Sequence, residues 1–145
     1  MPSERFTHQA VATAPIHRAW EALQRAETWA SIGGVDEVFD VEHDDAGHLM
    51  GYHFHVRAAG RRFRGKATAV EAVQPGLMAV DIDSSEMLGR ITVELTEASE
   101  HTTVTVTVDA SAKGILSSMF FGVVARAIGS GLPESVEGFA ARLSA

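Results

Sequence analysis

Histidines stand at two alternate positions in the run His53-Phe54-His55, and His43 and His48 flank a short turn just before it. On an extended strand, residues i and i+2 point to the same side about 6.7 Å apart. His53 and His55 could therefore share a metal ion, with His43 and His48 completing the ligand set. The same alternation groups Tyr52, Phe54 and Val56 as the apolar set. That assigns the apolar set to the interior and puts His53, His55 and Arg57 on the wetted face. Solvated histidines are the expectation, and a metal at His53 and His55 is the alternative.

Arg62, Arg64 and Lys66 alternate in the same way opposite Phe63, Gly65, Ala67 and Ala69. A row of cations can hold a carboxylate; it can also simply keep an outer sheet face soluble. Asp81 and Asp83 share a face opposite Met78, Val80 and Ile82, so any acid–base work by this carboxylate pair would be done away from the apolar side. His8 differs, being in phase with Phe6, Ala10 and Ala12. An inward histidine is either a hydrogen-bonded core residue or a base. Arg90 and Glu86 are further polar candidates with no assigned direction. Gly-x-Ser-x-Gly, glycine-rich phosphate loops and His-Glu-x-x-His are all absent. His8 and Tyr52 are thus the catalytic candidates, and no cofactor is called for.

These residues must be positioned by a single domain, since 145 residues suffice for one core. Composition is that of a globular protein, 46% apolar and 21% charged. The net charge of −7 argues against nucleic acid. With no cysteine there is no disulfide, thiolate zinc site or cysteine nucleophile. No apolar run reaches the roughly 18 residues of a membrane span, and no signal-peptide layout opens the chain, so a cytoplasmic protein is expected.

Period-two patterning predicts strands at residues 5–12, 35–43, 48–57, 61–73, 77–84, 87–96 and 102–110. The last reads Thr-Val-Thr-Val-Thr-Val, with Val104, Val106 and Val108 inward. After the first strand, Thr13 is read as a helix cap and Pro15 as a first helical position. Ile16, Ala19, Trp20 and Leu23 then recur at helical spacing. A further turn at 27–31 carries Trp29, and Gly33-Gly34 ends it. Residues 112–145 read as one long helix with two apolar stripes. Leu116, Phe120, Val123 and Ala127 form the first, and Ile128, Leu132, Val136, Phe139 and Leu143 the second. Gly129-Ser130-Gly131-Leu132-Pro133 between them predicts a kink or break. The first half is apolar nearly all round, so it is buried in this chain, lines a cavity or meets another subunit. A homodimer is one form of that last option. A long helix after a run of antiparallel strands is expected to lie across the concave face of their sheet.

The stretch Ala14-Pro15-Ile16-His17-Arg18-Ala19-Trp20-Glu21-Ala22-Leu23, followed by Trp29, resembles a marker of the superfamily of START domains, the major birch pollen allergen and polyketide cyclases. The turn and strand from Gly47 to Gly51 and the run Val70-Glu71-Ala72-Val73-Gln74-Pro75-Gly76-Leu77 are similar to it as well. Lys113-Gly114-Ile115-Leu116 resembles the subgroup named after a subunit of carbon monoxide dehydrogenase. The resemblance implies an α+β helix-grip fold: a curved seven-stranded antiparallel sheet around a long kinked C-terminal helix, with two short helices after the first strand. It also implies a cavity for an apolar or aromatic small molecule. On the sheet and short helices its wall would be Trp20, Trp29, Phe39, Tyr52, Phe54 and Phe63, with Met78 and Met87. On the long helix it would be Met119, Phe120 and Val123. His8 or Tyr52 would orient the ligand. A cyclase or dehydrase enzyme and an interaction subunit docking through the apolar helix are the alternatives.

Overall fold

The computed structural model describes residues 3–58, 60–85, 87–113 and 115–145, with the side chains of 58, 61, 115–120, 123, 124 and 127 outside the description. The elements are β1 (Ser3–Ala12), α1 (Ile16–Ala22), α2 (Ala26–Gly33), β2 (Glu37–His43), β3 (Leu49–Ala58), β4 (Arg61–Val73), β5 (Leu77–Ser84), β6 (Met87–Ala98), β7 (His101–Ala112) and α3 (Ile115–Ser144). Strands β2 to β7 form an antiparallel meander, and β1 pairs with β7 to give the order β1-β7-β6-β5-β4-β3-β2. This is an α+β helix-grip architecture, with a seven-stranded curved sheet, two short helices after the first strand and a long C-terminal helix.

Alternation sets the two faces. Ile91, Val93 and Leu95 of β6 stand opposite Val108, Val106 and Val104 of β7, and all six are buried. Burying a valine or leucine side chain contributes about 1.5–3 kcal/mol, so these cross-strand pairs anchor the sheet to what covers it. On the outer face, Arg5, Asp109, Arg90 and Asp81 lie in register across four strands. Arg5 Nε meets Asp109 at 2.5 Å, and Arg90 Nε meets Asp81 at 2.6 Å.

The joints differ from expectation in detail. Pro15 is the N-cap of α1 rather than its first residue, and no side chain of its own caps the helix. Instead the Ile16 N–H donates to Glu97 Oε2 at 2.8 Å, which places an anion at the helix N-terminus. The buried Thr102 hydroxyl donates to Ala14 O at 2.7 Å and pins the same corner. Val35 belongs to the end of α2, where its N–H donates to Ala30 O behind a left-handed Gly34 (φ 70°). β2 starts only at Glu37.

Helix α3 runs without a break from Ile115 to Ser144, with Pro133 inside it. The expected pair of rotated stripes rested on Leu116, Phe120, Val123 and Ala127, whose side chains lie outside the description. The second stripe is found, and it continues towards the N-terminus through described residues. Phe121, Ala125, Leu132, Val136, Phe139 and Leu143 are buried, and half-buried Ile128 falls in step with them at spacings of three and four. Phe121 and Ala125 pack on Ala110 and Ala112 of β7. Gly129, read as punctuation, is a contact point: a Cβ there would stand 2.4 Å from the ring of Phe6. Its bare backbone lets α3 settle on β1. Among the described residues no helix is long and apolar enough to cross a membrane.

Candidate ligand cavity

A cavity of about 170 Å³ lies between the sheet and α3. Three alternate inward residues of β3, Tyr52, Phe54 and Val56, form its floor, with Phe63 of β4 beside them. The register explains the floor's shape. Tyr52 stands opposite Ala67, Phe54 opposite Gly65, and Val56 opposite Phe63. At the first two of these pairs a large residue on β3 faces a small one on β4, and the Phe54 ring lies down over its neighbour. A Cβ on Gly65 would sit 2.3 Å from Phe54 Cζ, so the ring rests directly on the Gly65 backbone. Ile82, Ile91 and Val108 continue the wall across β5 to β7, and Phe121 and Ile128 form the roof.

Two hydrogen-bonded features stiffen this enclosure. Trp29, fully buried on α2, donates its indole N–H to Leu23 O at 2.7 Å and holds its ring in the back wall. At the rim, the Ser84 hydroxyl donates to Met87 O (3.1 Å) and accepts the Met87 N–H (3.0 Å). That closes the β5–β6 turn beside the cavity.

The polar inventory is short. Tyr52 is 2% exposed and forms no hydrogen bond among the described residues, although its ring lies 6.3 Å from that of Phe54. Burial pushes its phenol pKa well up, so the hydroxyl stays protonated. It offers one donor and spare acceptor capacity to whatever occupies the cavity. Arg57, Arg90 and Asp109 also line the space. Of these, Arg90 is held by both oxygens of Asp81 and Asp109 by Arg5, which ties them to the outer face.

The candidate residues are thus divided. Trp29, Tyr52, Phe54, Phe63 and Met87 come together around the cavity. Trp20 and Met78 are buried elsewhere in the core. Met78 is reached at its sulfur by Gln24 Nε2, just past the end of α1, at 3.5 Å. Phe39 lies on the outer face, stacked by His53 and His55 at centroid distances of 5.7 and 4.8 Å. The side chains of Met119, Phe120 and Val123 lie outside the described residues, as does Glu86. His8 points to the C-terminal half of α3, its Nε2 3.8 Å from Glu137 Oε1, and does not line the cavity. Val35, Ile91, Phe121 and Ile128 line it without having been anticipated. Ile91 and Ile128 carried a signal as members of inward stripes.

Three of the four histidines considered as metal ligands are engaged separately. His55 Nδ1 accepts from Arg62 Nη2 at 2.9 Å, His43 Nε2 donates to Gln24 O at 2.8 Å, and His48 lies 3.4 Å from Asp44. Among the described residues no group of three or more His, Asp or Glu could hold an ion.

A helix laid across a curved antiparallel sheet with an apolar cavity between them defines a helix-grip fold. The chain belongs to the family described as polyketide cyclase / dehydrase and lipid transport, whose sequence profile matches residues 3–144. Solved structures agree on the fold. A START superfamily protein from Mycobacterium smegmatis superposes with a TM-score of 0.71 at 9% identity, covering 92% of this chain and 94% of its own. Zhui aromatase/cyclase from Streptomyces sp. R1128 gives 0.68 at 18% identity, with coverage of 96% and 94%. Norcoclaurine synthase from Thalictrum flavum gives 0.64 at 11% identity, with coverage of 98% and 86%. No functionally curated protein matches the sequence.

Proposed function

We infer that this protein binds a small, flat, largely aromatic molecule carrying one polar group, held between β3 and α3 with that group on the Tyr52 hydroxyl. The observation that carries this reading is an apolar cavity whose buried tyrosine has no hydrogen-bond partner among the described residues. The Tyr52 oxygen is not sealed from open space, so a ligand in the cavity can reach it and exchange a hydrogen bond with it.

Volume sets the size class. An engineered apolar cavity of about 150 Å³ holds benzene, and drug-sized ligands need roughly 300–1,000 Å³. At about 170 Å³, the space suits one ring as it stands and two fused rings after slight expansion. Long acyl chains are disfavoured. Binding is favoured over acid–base catalysis because Tyr52, the titratable side chain buried inside the cavity, has its pKa moved away from neutrality.

Isothermal titration with phenol, naphthalene and 2-naphthol tests the reading. For 2-naphthol, roughly 0.5 kcal/mol per heavy atom gives a Kd on the order of 100 μM. Naphthalene, lacking the hydroxyl, should bind about threefold to tenfold more weakly. Equal affinity for the two bicyclic probes, or no heat with any of them, overturns it.

A further inference from the structure

The β3–β4 hairpin carries a segregation of charge that the cavity does not use. Between residues 46 and 70 stand five of the chain's twelve Lys and Arg, three of its seven His and none of its nineteen Asp and Glu. Residues 46–70 are therefore +5 and the rest of the chain −12, which together make the net −7, and Glu71 near the end of β4 brings the hairpin itself to +4.

Register turns this composition into a surface. His53 stands opposite Lys66, His55 opposite Arg64 and Arg57 opposite Arg62. Their alternates Tyr52, Phe54, Phe63 and Ala67 are buried, so the three pairs share the outer face. They form a two-by-three grid with rows about 4.8 Å apart and same-face steps of about 6.7 Å. Arg62 is partly neutralised by Glu37 at 3.4 Å. Arg64 lies over the Phe39 ring, 5.4 Å from its centroid. Among the described residues Arg57, Arg64 and Lys66 make no ion pair, since Asp83, in register with Lys66, is taken by Lys113 at 2.7 Å.

We propose that this face docks an acidic helix of a partner protein. Carboxylates at i and i+4 on a helix rise about 6 Å per step, close to the step of the grid. Phe39 braces Arg64 in place, which lowers the entropy lost when it pairs. A membrane surface is the poorer match. Interfacial binding pairs cations with inserted apolar side chains; the exposed large apolar residues described are Val11, Val41, Met50, Val70, Val73 and Leu88, none of them at a grid position. An extended nucleic acid would be repelled by the −12 of the remaining chain, whereas a short acidic helix meets the grid with Glu37 and Asp83 at its two edges, each already held by a cation. Arg57 also borders the cavity, so the docked helix would sit beside it. The proposal is independent of what the cavity holds.

The test uses the whole protein and a fluorescent, alanine-based helical peptide of roughly 20 residues with Glu at every fourth position and no Lys. Anisotropy should show binding at about 50 mM salt that weakens about tenfold at about 200 mM. Arg64→Glu with Lys66→Glu should weaken it at least about tenfold, and Arg18→Glu with Arg25→Glu, the same charge change on and beside α1, by less than about threefold. If the first pair fails to fold, Arg64→Gln with Lys66→Gln replaces it. Amide shifts in the wild-type protein should centre on residues 53–66. Equal weakening by both charge-reversed pairs overturns the proposal. So does tighter binding to phosphatidylserine-containing vesicles than to the peptide, or amide shifts centred elsewhere.

Discussion

Gly65→Ala isolates the device that shapes the cavity. The new Cβ would lie 2.3, 2.8 and 2.9 Å from three carbons of the Phe54 ring, against an ordinary contact of about 3.5–4.0 Å. Gly65 is paired on both sides, with Phe54 and Ser84, so its backbone has little room to retreat. The ring must recede by roughly 1.2–1.5 Å, and the open direction is the cavity. A phenyl face moving that far takes up roughly a quarter of the 170 Å³. Overpacking costs about 1–3 kcal/mol, and the smaller entropy loss of alanine returns about 0.5–1 of it. The net destabilisation of about 0.5–2 kcal/mol should lower Tm by roughly 2–6 °C. Calorimetry should show 2-naphthol bound at least about tenfold more weakly and phenol within about threefold, because only the larger probe needs the lost space. Unchanged stability together with unchanged 2-naphthol affinity would refute the packing argument.

Other substitutions probe separate parts of the account. Tyr52→Phe should leave stability unchanged or raise it by up to about 1 kcal/mol in a denaturant titration, because the hydroxyl has no partner to lose among the described residues. A loss above about 1 kcal/mol would mean that it is bonded. Tyr52 is the sole tyrosine, so absorbance near 295 nm follows it directly. Its folded pKa is raised above 10.0 by burial, so its contribution to stability is complete below that value and is lost as pH rises beyond it. Phenolate should appear only together with alkaline unfolding. Asp44 has the opposite sign. N–H donors from His48 and Ala46, both at 2.9 Å, lower its pKa below 3.8. Asp44→Asn should flatten the decline of stability as pH falls below about 3.8, measured by acid titration of the circular dichroism. Gly131→Ala meets nothing within 4 Å and sits inside α3, so it should stabilise by about 0.5–1 kcal/mol, whereas Gly129→Ala, blocked by Phe6, should destabilise.

Much of the fold was legible because strand alternation is a local signal. The valines of β7 and the apolar set Tyr52, Phe54 and Val56 pointed inward from their spacing alone. The resemblance places Phe39 in the cavity, and alternation overrules it. Phe39 pairs with outward His53 while its neighbour Val38 pairs with inward Phe54, so the strand period itself turns it to the outer face, and the register shift begins only after it. Trp20 and Met78 fail as cavity residues for another reason. Core and cavity wall share one apolar composition, and only tertiary placement decides which a residue joins. Gly65 and Gly129 carried no signal at all, because what makes them matter is a ring from another element. The second stripe of α3, Ile128 to Leu143, was legible from helical spacing alone.

The most direct measurement is an isotope-filtered NMR spectrum of the protein with bound 2-naphthol. The account expects cross-peaks from the ligand's aromatic protons to Tyr52, Phe54, Ile91 and Phe121, the residues that enclose the cavity. Contacts confined to the outer-face residues Phe39, His53 and His55, or a spectrum unchanged at saturating probe, would contradict it.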